Sequence, residues 1–167
     1  MDTLEAKDDF QRSMSNIISS YRLFARSLPP ETQFDNGHAV TFNGHEFESY
    51  EQSQAMLVEL GWAFFCRMDA ALEALIGNLG IPGKDVLTRL SRCGFSSEDL
   101  ERYGEARELR HIIHHGDGDP ALLRSAPAHV HVAPGKQPHL YPQHIERLYE
   151  VYLKAGNCLS RAHARIM

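Results

Sequence analysis

Between Glu48 and Leu79 the chain contains no proline, and Leu57, Leu60, Phe64, Met68, Leu72, Leu75 and Leu79 recur there at steps of three and four residues. That rhythm is the signature of one helix face buried along its whole length. Trp62, Phe65, Asp69 and Ile76 lie beside the stripe, so the buried face is wide. A helix over this segment is about 45 Å long, more than the width of a small domain, and part of its stripe is therefore expected to meet a second subunit. Gly80 and Pro82-Gly83 end it.

The segments around it read as further helices. Phe10, Met14, Ile17, Tyr21, Phe24 and Leu28 mark one face of a helix over about residues 3–28, which Pro29-Pro30 stops. Two Asn-Gly steps follow, at Asn36-Gly37 and Asn43-Gly44. Asn-Gly supplies the positive φ angles of a tight turn, which predicts a small hairpin in this region. Val86, Leu87 and Leu90 predict a short helix closed by Gly94. Ser96 or Ser97 then caps a helix whose inner face is Leu100, Tyr103, Ala106, Leu109 and Ile113. Gly116 terminates it, within a Gly-Asp-Gly-Asp-Pro run. His129-Val130-His131-Val132 alternates like a strand, Pro134-Gly135 marks a turn, and a last amphipathic helix follows Pro142. The expected fold is a single all-α domain, a helical bundle with one very long helix and short β-hairpins in its loops.

Composition sets the outer limits. A chain of 167 residues with 43% hydrophobic and 23% charged residues has the make-up of one ordinary globular domain. No segment has the roughly 20 continuous apolar residues of a membrane span, and the acidic, periodic N-terminus is unlike a signal peptide. Cys66, Cys93 and Cys158 are odd in number and far apart, without a CxxC pair. They are expected to be small buried thiols in a reducing, cytoplasmic setting, not a disulfide framework or zinc knuckle. The net charge of −5 opposes broad nucleic-acid binding. Its distribution is uneven, however: residues 124–167 carry six bases against two acids.

The passage with chemical content is Glu108-Leu109-Arg110-His111-Ile112-Ile113-His114-His115-Gly116. It gathers an arginine and three histidines at the C-terminal end of a helix, where the helix dipole favours positive charge. Histidine exchanges protons near neutral pH, and a guanidinium suits a phosphate. At about 100° per residue, His111 and His115 share a face, as do Arg110 and His114. Such a set suits metal-free cleavage of RNA, in which the 2′-hydroxyl supplies the nucleophile.

These residues resemble the motif of the HEPN superfamily, an arginine followed after four to six residues by a histidine, with Asn, Asp or His preferred directly after the arginine. Arg110, His111 and His115 match it, and His114 offers an alternative to His115. The helical layout of residues 48–166 is also similar to that superfamily: a long helix, the motif at a helix end, a loop and a final helix. The resemblance implies a helical bundle that dimerises with the motif helices facing across a cleft. It further implies a metal-independent endoribonuclease of a toxin–antitoxin, defence or RNA-processing system, with no cofactor. Arg110 would contact the phosphate, His115 would act as general acid or base, and His111 would support it. Partners would be RNA, a second copy of the chain and an antitoxin or other protein.

Three other readings compete. Some HEPN domains are catalytically silent modules that bind a protein or nucleotide. An Arg- and His-rich last turn also caps helix carbonyls without any catalytic duty. Finally, His111, His115, His129 and His131 have the spacing of a histidine metal site, although Ile112 stands where an HExxH zincin has its glutamate. Asp117 and Asp119 lack the spacing of a calcium loop and read as turn residues. Arg67 and Asp69 are the long-helix residues placed to meet the motif helix.

Overall fold

A computed structural model describes residues 2–34, 38–113 and 140–164, together with the backbone of His114 and His115. Its helices are α1 (Thr3–Arg26), α2 (Tyr50–Asn78), α3 (Val86–Arg92), α4 (Ser97–His115) and α5 (Pro142–Ala164). A hairpin of β1 (Val40–Phe42) and β2 (His45–Phe47) separates α1 from α2. The all-α bundle expected from the periodicity is thus the fold.

The boundaries follow from local chemistry. Asp2 caps α1, and Ser49 Oγ accepts from the Gln52 amide at 3.2 Å to open α2. At the other end of α2, Gly80 turns to φ +61°, and the Ile81 amide donates to the Ile76 carbonyl at 3.1 Å. That bond satisfies a carbonyl which the end of the helix would otherwise leave orphaned. Gly94 repeats the device after α3, with the Phe95 amide donating to the Leu90 carbonyl. Ser96 and Asp99 form a reciprocal cap on α4: the Asp99 amide donates to Ser96 Oγ and the Ser96 amide to Asp99 Oδ2. Pro142 occupies the first turn of α5, where its missing N–H costs nothing. In the hairpin, Phe42 pairs with His45 across the two-residue Asn43-Gly44 turn, both central residues having positive φ. The Asn36-Gly37 step and the 129–132 alternation lie outside the described residues.

The core is formed where α1, α2 and α5 meet. Phe10, Met14, Ile17 and Tyr21 from α1 bury against Phe65, Met68, Leu72 and Leu75 from α2 and Ile145, Tyr152 and Leu159 from α5. Close approach is made possible by glycine. A Cβ on Gly156 would run into the Phe10 ring, and one on Gly61 would come within 2.9 Å of the Leu140 carbonyl oxygen.

The long stripe is covered from within the chain. Of its seven residues, Leu57, Phe64, Met68, Leu72, Leu75 and Leu79 are all 9% exposed or less, and Leu60 is partly buried against the same core. Helices α1 and α5 pack against α2 and supply the surface that covers the stripe within the chain. No helix among the described residues is long and apolar enough to cross a membrane.

Cysteine chemistry departs from the expectation of thiols. Cys93, which caps α3, forms a disulfide with Cys158 of α5, their Cα atoms 5.9 Å apart. Cys66 stands outside the disulfide and keeps its thiol. The sequence separation of 65 between Cys93 and Cys158 hides the pairing from any spacing rule, because only the docking of α3 against α5 brings them together.

Candidate functional site

The motif helix turns one face inward through Tyr103, Ala106, Leu109 and Ile112, all buried. Arg110 lies at the edge of that face, about 100° round the helix from Leu109, and its side chain is 39% exposed. Facing it from α2 is Asp69, one of few buried charged residues, set among Phe65, Met68 and Leu72. An acid at such a position requires partners, since burying an unpaired carboxylate costs several kcal/mol.

Asp69 has them on both oxygens. Oδ2 takes Nε of Arg110 at 2.8 Å, and Oδ1 accepts the hydroxyl of Tyr152 from α5 at 3.1 Å. One carboxylate thereby ties together α2, α4 and α5. Glu73, one turn further along α2, stands 3.9 Å from the Arg110 Nη1 and is half exposed. The Tyr152 ring is held in turn, with Phe65 at 6.0 Å and Tyr103 at 6.4 Å between ring centroids. Burial pushes the Tyr152 hydroxyl well above its ordinary pKa, with the neighbouring Asp69 charge acting in the same direction. Burial also raises Tyr103 to about 12, against the opposing pull of Arg107. Cys66, one turn before Asp69, has its thiol raised by burial and then by Asp69, while Arg110 lowers it.

The sequence-predicted residues fare differently. Arg110 joins a built cluster. His111, the next residue on α4, is exposed. Helix α4 continues to His115, so His114 and His115 occupy its last turn, but their side chains lie outside the described residues. His129 and His131 also lie outside, as do Asp117 and Asp119. Among the described residues no group of three or more His, Cys, Asp or Glu is placed to hold a metal ion. Asp69 meets the motif helix as expected. Arg67 is exposed, its guanidinium 5.8 Å from the centre of the Phe64 ring on its own helix.

Sequence reasoning missed the part of Tyr152, on the last helix, and the proximity of Cys66. The signal available was Asp69 itself. A carboxylate inside an apolar stripe must be met by a cation and a hydroxyl or amide donor, and the chain offered both on neighbouring helices.

The arrangement presents a guanidinium that is oriented by a buried carboxylate, partly open to solvent, and carried on the same helix end as three histidines. Such a group can bind an anion such as a phosphodiester. No family model matches this chain, and neither the curated proteins nor the solved structures contain a match to it.

Proposed function

We propose that this protein is a metal-independent endoribonuclease of the HEPN type that acts as a homodimer in a toxin–antitoxin or defence setting. In this reading Arg110 binds the scissile phosphate, His115 is general acid or base, and His111 assists. The observation that supports it best is Arg110 itself. It is half exposed on the last turns of α4 and held by a buried carboxylate, where a purely solvated or capping arginine would need no such anchor. The long α2 beneath the motif and the closing α5 agree with the layout that the resemblance implies.

A second reading has its own support. The Arg110–Asp69 pair joins two helices and is sufficient to account for Arg110 as a structural tie, which fits a silent module that binds a protein or nucleotide.

Incubation of the chelator-treated protein with mixed RNA, beside Arg110→Ala and His115→Ala variants of parental helicity, separates the two. Cleavage by the parent and loss of about a thousandfold or more in each variant is the expected result. Equal cleavage by all three overturns the assignment, and no cleavage by the parent transfers it to the silent module.

A further inference from the structure

We propose that Tyr152 is a positioning residue for Arg110, acting through Asp69; the inference rests on the reading of Arg110 as the phosphate-binding group. Tyr152 is 1% exposed and clasped by the rings of Phe65 and Tyr103, which fix the aim of its hydroxyl. That aim is Asp69 Oδ1 at 3.1 Å. With Oδ1 fixed by the hydroxyl, the carboxylate cannot rotate about its Cβ–Cγ bond without breaking a buried hydrogen bond, and Oδ2 is held toward Arg110 Nε at 2.8 Å.

The choice of nitrogen matters for chemistry. A guanidinium bound through Nε turns the edge of its two η nitrogens toward other acceptors; the half-exposed Glu73 stands 3.9 Å from Nη1, and the same edge matches two oxygens of a phosphate that displaces it. A carboxylate free to rotate would instead meet the η nitrogens and compete with the phosphate. Burial keeps the Tyr152 hydroxyl protonated far above neutral pH, so the donor is constant wherever RNA chemistry is run. The role is specific to the hydroxyl: the ring alone would pack against Phe65 and Tyr103 equally well as phenylalanine.

The test uses Tyr152→Phe, with two readouts. In ¹H–¹⁵N spectra the Arg110 Nε–H signal, assigned by its loss in Arg110→Lys, should exchange with water at least about tenfold faster in Tyr152→Phe than in the parent. Against RNA, kcat should fall about tenfold with KM within twofold, as for a group misaligned but still present. Parental exchange of the Arg110 Nε–H in Tyr152→Phe overturns the positioning role, whatever the nuclease result. Faster exchange in a protein that cleaves no RNA upholds the positioning and sinks the nuclease reading, so the two failures are distinct. Should Tyr152→Phe fail to fold, the parent decides alone: a slowly exchanging Tyr152 hydroxyl proton that is absent in Asp69→Ala is expected, and its absence in the parent overturns the proposal.

Discussion

Cys93 and Cys158 are joined across 65 residues of chain, and the loop they close contains the whole of α4 with Arg110. The bond also sits beside the place where α4 begins, since Phe95 packs under Lys154 of α5 and Lys154 pairs with Asp99. Closing a loop of this length removes denatured-state entropy worth roughly 4 kcal/mol in the chain-entropy description. Reduction, or a Cys93→Ser, Cys158→Ser double variant, should therefore lower the thermal midpoint by about 10 °C. Scanning calorimetry with and without a dithiol reductant measures it. Thiol titration of the unfolded, unreduced protein should find one thiol per chain, that of Cys66; three would remove the disulfide from the account.

Gly156 of α5 lies against the Phe10 ring of α1. A methyl group there would overlap the Phe10 ring, which is itself 3% exposed and has little room to withdraw. Gly156→Ala should thus destabilise the protein by about 1–3 kcal/mol in spite of alanine's better helix propensity. Phe10→Leu in the same chain should recover part of the loss, and such non-additivity in urea titrations is the mark of direct contact. Simple addition of the two losses would place the clash elsewhere.

Asp99 links the cap of α4 to α5 and carries a predictable pH dependence. Its hydrogen bond from Lys154, with those from Ser96, holds its carboxyl down to about 2 against the opposing effect of burial. Because the folded value lies below the unfolded one, its contribution is fully present above about pH 4 and fades as pH falls through about 2. Asp99→Asn should cost about 1 kcal/mol at pH 7, in the range of a lost helix cap. Against the parent, that difference should shrink steadily between pH 4 and pH 2. A constant gap across that window would show that Asp99 acts by shape alone.

Asp69→Ala should be more damaging than any loss of a surface ion pair. It strips a partner from the buried Tyr152 hydroxyl and from Arg110 together. A cost of about 2–3 kcal/mol is expected, the partial exposure of Arg110 softening what a fully buried charge would suffer. Glu73→Ala, whose half-exposed carboxylate stands 3.9 Å from Arg110, should cost well under 1 kcal/mol by the same denaturation assay.

Much of the fold is legible along the chain because helix periodicity and end signals are local. The stripe from Leu57 to Leu79, the stop at Gly80, the Asn43-Gly44 turn, the cap at Ser96 and the start at Pro142 all arise from residues a few positions apart, and each appears where those residues put it. The site was legible only in part. Arg110 and the histidines stand out by type and spacing, and Asp69 stands out as an acid within an apolar stripe. Nothing in the spacing of Tyr152, 83 residues from Asp69, reveals that its hydroxyl completes the pair.

What the sequence determined by itself, then, is which segments are helical, where they end and which face of each is apolar. These are settled by backbone sterics, capping and side-chain periodicity within a turn or two. The tertiary structure decided which faces meet. It covered the α2 stripe with α1 and α5, joined Cys93 to Cys158, and aimed one buried carboxylate at both Arg110 and Tyr152. Apolar burial is non-directional and does not specify the partner, whereas disulfides and buried hydrogen bonds require a geometry that exists only once the helices have docked.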